Sequence, residues 1–223
     1  SCVNKAKDLN EILLGEKTEQ QVLVGKLKKK EQTLKQEIQK KKNIAQQLDK
    51  QISKIIAEEI KKARSKTSLT NAKEISLTPE QQKLSLNFNA NKTKLPWPVE
   101  RGVLVEGFGI QAHPILKGIE TFNNGIKIST TVLAEARAVF NGKVSRIISI
   151  PGAGKAVIIS HGEYFTVYSN LSDVFVKVNQ TVETKSPLGL VITNVKTKET
   201  ILELQLWKGN EKLDPAQWLY KAY

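Results

Sequence analysis

Apolar residues in the first third of the chain recur in steps of three and four: Leu27, Leu34, Ile38, Ala45, Leu48, Ile52 and Ile55. Alternation around 3.5 marks a coiled-coil seam. No proline falls between residues 4 and about 65, and Gly15 and Gly25 are the weak points, so the pattern predicts one long helix. Glu31, Lys41 and Glu59 interrupt the seam, and near Ile56, Ile60 and Ala63 the stripe slips by one position. So narrow a stripe cannot bury itself, so a second helix is expected, from preceding sequence or another copy of the chain. A solitary solvated helix is the plain alternative.

Residues 65 to 77 have turn chemistry and read as a linker. Thr78-Pro79-Glu80-Gln81 then offers a cap, a proline for the first helical position and a glutamine that closes a capping box. Leu84 and Phe88, one turn apart, form the apolar face of this short helix over 78–88. From Leu95 the period changes to short β-rich runs: 102–106, 125–128, 138–148, 156–160, 165–170, 175–178, 188–193 and 200–207. Asn141-Gly142 reads as a hairpin turn between Ala138-Val139-Phe140 and Lys143-Val144. The fold class is therefore α + β in separate regions, with the helix at 1–65, a linker with a short helix at 66–94, and an antiparallel all-β domain at 95–223.

Of the basic and acidic residues, 18 and 10 lie in 1–75, leaving 17 and 12 in the remainder, so the net charge of +13 is spread over both parts. With no nucleic-acid-binding motif beside it, this spread argues against a nucleic-acid partner; a basic surface near an anionic polymer or membrane fits as well. The lone Cys2 excludes an internal disulfide and a thiolate zinc cluster. The sequence shows no apolar run of about 18 residues and no signal peptide. It begins inside a helical pattern without Met, as expected of a piece of a longer or processed protein.

Ordered landmarks run through the β region: Leu95-Pro96-Trp97-Pro98-Val99, Gly107-Phe108-Gly109, His113-Pro114 and Asn123-Asn124-Gly125-Ile126-Lys127-Ile128. Ile159-Ser160-His161-Gly162, Tyr168-Ser169-Asn170-Leu171, Ile201-Leu202-Glu203-Leu204, Asp214-Pro215 and Trp218-Leu219 follow. Together they resemble the LytM-type, M23-class metallopeptidase domain over 95–219. The resemblance implies a zinc site with two His and one Asp as ligands and two further His assisting the attacking water. A catalytic zinc needs such ligands and one open position. Position by position, Asn123, Lys127 and Glu203 replace the three ligands, and Asn170 and Ile201 replace the assisting His. No metal or other cofactor is expected. Lys127 places an ammonium where a cation would sit, and it is expected to pair with Glu203. His113 and His161 do not match ligand positions and read as structural or surface residues.

A domain that keeps this shape keeps its groove, with Tyr164, Tyr168 and Trp207 as candidate walls and Lys127, Asn170 and Glu203 as polar handles on its floor. Ordinary core packing is the plain alternative for each aromatic. With the coiled coil, the chain resembles the EnvC-like murein hydrolase activators. That resemblance implies a bacterial cell envelope, a periplasmic setting and a role in cell division. It also implies two partners: an N-acetylmuramoyl-L-alanine amidase at the groove and an FtsE–FtsX-type membrane complex at the coiled coil. Peptidoglycan is a further possible partner. The helix bearing Leu84 and Phe88, or the linker around it, is expected to cover the vacant groove at rest; a connector helix packed on the side of the domain is the plain alternative. An active peptidase, a peptidoglycan-binding module and a structural coiled-coil adaptor stay open as alternatives.

Overall fold

The proline-free stretch forms α1 (Cys2–Ser65), 64 residues of continuous helix. This computed structural model describes residues 2–65, 77–112 and 120–222. The chain divides into two units, residues 1–48 and 49–223. In the first unit, helix α1 leaves Ile12, Leu13, Leu14, Val22, Leu23, Val24 and Leu27 exposed. Among the described residues no helix is long and apolar enough to cross a membrane.

The second unit begins at Asp49, not at the end of α1. The expected boundary at residue 65 thus moves into the helix, because Ile52 and Ile56, one turn apart, are fully buried in this unit. Most of the expected linker, residues 66–76, lies outside the described residues, as does the His113-Pro114 landmark. Helix α2 (Pro79–Ala90) starts as its sequence dictates: the Thr78 side chain accepts from Gln81 N, and Gln81 Oε1 accepts from Thr78 N at 3.0 Å.

Among the described residues every strand pairs antiparallel, and one isolated parallel bridge joins Leu95 to Leu219. The strands are β1 (Gly102–Glu106), β2 (Gly109–Ala112), β3 (Glu120–Asn123), β4 (Ile126–Thr130), β5 (Glu135–Arg137) and β6 (Gly142–Ile150). They continue with β7 (Gly154–His161), β8 (Tyr164–Val174), β9 (Thr181–Val182), β10 (Pro187–Val191), β11 (Thr200–Lys208) and β12 (Glu211–Leu213). The main sheet runs β1-β4-β11-β8-β7-β6-β9, while β2 and β3 pair as a separate ribbon. One face carries the core, which includes Ile126, Ile128, Val157, Ile159, Leu202, Leu204 and Leu206.

Two sequence expectations are corrected. Asn141-Gly142 is not a hairpin turn, since β5 pairs with β10 and β6 with β7. Gly142 is needed for close approach instead: a Cβ there would meet Ser160 O at 2.6 Å. Asn141 Oδ1 accepts from Thr184 N and Oγ1. The run 175–178 is not a strand either. It enters a tight turn in which Gln180 N donates to Lys177 O at 3.1 Å and Asn179 takes a left-handed φ of 71°.

Candidate functional site

The two faces of the main sheet are both buried, which is why β8 opens with six buried residues in succession, Tyr164 to Ser169. Tyr164, Thr166 and Tyr168 alternate with Phe165, Val167 and Ser169. Tyr164 and Tyr168 belong to the core cluster; Phe165, Val167, Ile158, Ala156 and Trp207 are just as buried but lie outside it. Register places them on one face, with Gln205 and Trp207 of β11 opposite Val167 and Phe165 of β8. Ile158 of β7 stands opposite Val167 on the other side.

The same face carries Lys127 and Glu203, two of the positions expected from the sequence to stand in for metal ligands. Lys127 of β4 is directly opposite Glu203 of β11, which is opposite Ser169 of β8. The expected Lys127–Glu203 pair does not form. Lys127 Nζ instead donates at 2.7 Å to Oε2 of Glu106, which stands opposite it on the β1 side, while Glu203 is engaged by Gln205. Asn123 Nδ2 donates to the same Glu106 oxygen at 2.9 Å and to Gly107 O at 3.1 Å. Glu203 Oε1 accepts from Gln205 Nε2 at 3.1 Å, and Gln205 Oε1 accepts from Trp207 Nε1 at 3.1 Å. Asn170, held at a φ of 68°, donates Nδ2 to Ile201 O at 2.6 Å, so one former assisting position is tied to the backbone of the other. Among the described residues no group of three His, Cys, Asp or Glu side chains is placed to hold a metal. An ammonium at Lys127 further opposes a cation there.

What covers this face is the end of α1, a segment that sequence reasoning assigned to a coiled-coil seam. Ile52 and Ile56 are fully buried yet absent from the core cluster, like the sheet residues they cover. Asp49, one turn before Ile52, pairs with Lys212 Nζ of β12 at 2.7 Å. That ammonium also donates to Asn124 Oδ1 at 3.0 Å and lies 4.9 Å from the Trp207 ring centroid. Farther along α1, Glu58 approaches Arg146 of β6 at 3.9 Å, and Glu59 and Ile60 border a small cavity with Ser160 and Phe165. The signal for this role was the slip of the apolar stripe at Ile56, where the helix stops serving a helical seam and meets a sheet.

Helix α2 does not cover the groove. Phe88 enters the core, stacked at 4.8 Å on His161 and at 4.8 Å on Tyr164, with Phe140 edge-on at 5.4 Å. Leu84 is only half-buried beside it. The turn beneath is shaped for this helix, since a Cβ on Gly162 would meet Gln81 O at 2.4 Å. His161 donates from Nδ1 to Asn141 O at 2.7 Å and accepts at Nε2 from Thr166 Oγ1 at 2.8 Å, the pattern of a neutral ring. Burial pushes its pKa down to about 4.

Two of the three expected wall aromatics are thus core residues. Tyr164 packs under α2 and donates its hydroxyl to Asn89 Oδ1 at 3.1 Å. Tyr168 accepts from Val139 N at 2.9 Å, and burial raises its pKa to about 12. Only Trp207 shares the face of Lys127 and Glu203. Sequence reasoning missed Ile158, Phe165, Val167, Ser169 and Gln205 on that face; the uninterrupted apolar run of β8 was the available signal.

Residues 121–215 match the sequence model of Peptidase family M23. No curated protein matches the chain. Among solved structures, the SpoIIQ–SpoIIIAH pore-forming complex holds a chain 18% identical, with a TM-score of 0.49, covering 58% of this chain and 93% of that one. Helicobacter pylori Csd3 is 22% identical with a TM-score of 0.48, over 57% of this chain and 35% of its own. A Pseudomonas aeruginosa protein described as a putative peptidase M23 is 22% identical with a TM-score of 0.48, over 65% and 61%.

Proposed function

We propose that the chain, whose residues 121–215 match peptidase family M23, is a non-catalytic activator of a peptidoglycan amidase, held in check by its own helix. One observation carries this reading. The Asp49–Ile60 stretch of α1 lies against the part of the outer face lined by buried Phe165, Val167 and Trp207, and Lys127 and Glu203 continue that face, half-buried. A sheet face built for packing, stripped of metal ligands and covered by an amphipathic helix, suits a protein partner better than a chemical step.

The proposed partner is an N-acetylmuramoyl-L-alanine amidase in the periplasm of a dividing bacterium. An FtsE–FtsX-type membrane complex, engaging the coiled-coil part of α1, would draw the segment off the sheet. Binding then follows a population shift: the partner sees only the uncovered fraction. Ile52 and Ile56 together bury apolar surface worth about 3–6 kcal/mol before the cost of ordering the helix. A net preference of about 2 kcal/mol for the covered state would weaken binding roughly thirtyfold. The test is murein hydrolysis by a purified amidase with and without this protein. Acceleration is expected with it; no acceleration by either the native chain or a variant with the cover released contradicts the reading.

A further inference from the structure

Where β4 leads into β5, and where β9 turns toward β10, the surface encloses an open hollow of about 540 Å³. That volume lies within the range of small-ligand pockets, roughly 300–1,000 Å³. Its wall carries Arg101, Arg137 and Lys185 together with Glu100 and Glu135. Opposite charges sharing a wall tend to pair with one another, yet among the described residues none of these five enters an ion pair.

The Arg137 guanidinium is nevertheless held in place, and the backbone at Arg101 and Lys185 is anchored. Arg137 N donates to Pro98 O at 2.7 Å and its Nε to Trp97 O at 3.0 Å, which fixes the guanidinium and leaves its two terminal amino groups for another acceptor. Arg101 is anchored through its carbonyl, which accepts from Thr130 Oγ1 at 2.6 Å. Lys185 N donates to Ala138 O at 2.7 Å, and Lys185 and Leu133 on the rim hold left-handed φ values of 70° and 62°. Non-glycine residues in that region store strain and cluster at functional sites.

We propose that this hollow binds a short zwitterionic peptide, its carboxylate on Arg101, Arg137 and Lys185 and its ammonium on Glu100 and Glu135. A simple anion would meet two carboxylates, and a simple cation three positive groups; a ligand with both charges satisfies each set. The site is independent of the amidase reading, since it lies on neither the covered face nor α1.

The test is an NMR titration of the full chain with trialanine bearing free ends, with its N-acetylated amide, and with inorganic phosphate. Trialanine is expected to shift resonances around the hollow, and the blocked peptide to bind at least tenfold more weakly. Lys185→Glu and Glu135→Lys, both at exposed positions, should each weaken trialanine at least tenfold with the rest of the spectrum unchanged. Lys185→Gln serves if Lys185→Glu disturbs the fold. Equal binding of blocked and free peptide, tighter phosphate binding in Glu135→Lys without trialanine binding, or no binding of any probe would overturn the proposal.

Discussion

The two faces of the central sheet are closed by different means, and on β4 and β11 the outer positions Lys127, Ser129, Ile201 and Glu203 stay half-buried while Ile126, Ile128, Leu202 and Leu204 of the inner face are buried. The inner face is closed by α2 and the chain's own strands, through Phe88 among His161, Tyr164 and Trp218. The outer face is closed by two isoleucines of α1 and two ion pairs, one at 2.7 Å and one at 3.9 Å. The commitment is unequal too: the inner contacts are interlocked aromatics in a closed core, while the outer cover is a stripe on one helix. Helix α2 thus belongs to the core, and the end of α1 is the element to which the proposed reading gives regulation.

The largest expected effect breaks the inner face. Phe88→Ala should cost about 3–5 kcal/mol of stability by chemical denaturation, with no gain in partner binding. A gain in amidase activation without that loss would return α2 to the covering role. Tyr168→Ala should behave likewise, since its hydroxyl and ring both serve the core.

The next effect is on pH. His161 is neutral in the folded protein, with a pKa near 4, against about 6.5 when unfolded. The unfolded chain therefore takes up a proton first as pH falls, so stability is intact above pH 6.5 and declines from there to about pH 4. The loss approaches about 3 kcal/mol. Denaturation midpoints for native and His161→Gln protein at pH 7 and pH 4.5 check this; the same slope in both would remove His161 as its source.

A smaller effect sharpens the outer face. Lys127→Met removes a half-exposed ion pair with Glu106 and should change stability by less than about 1 kcal/mol. At the centre of the proposed interface it should still reduce amidase activation. Unchanged activation would place the interface elsewhere on the domain.

Much of the architecture was legible in the chain. The long helix, the capping box at Thr78 and Gln81, and the antiparallel β region all follow from local periodicity and turn chemistry. What sits on what was not. Lys127 has a carboxylate directly opposite it on each neighbouring strand, and nothing local says that Glu106 rather than Glu203 is the partner. Phe88 and Ile52 both read as apolar residues of amphipathic helices, and nothing local says which face of a distant sheet each will meet. Tyr168 and Trp207 likewise differ only in strand parity, which a bulge in β8 pairing can reverse.

The central claim is that the end of α1 competes with the partner for the outer face. Calorimetry on an amidase should compare the native full chain with Ile52→Glu/Ile56→Glu, which buries two carboxylates against the sheet and so drives the helix off. The account predicts roughly thirtyfold tighter binding by the double variant, with the β domain still folded by circular dichroism. Equal affinity of the two proteins would contradict it.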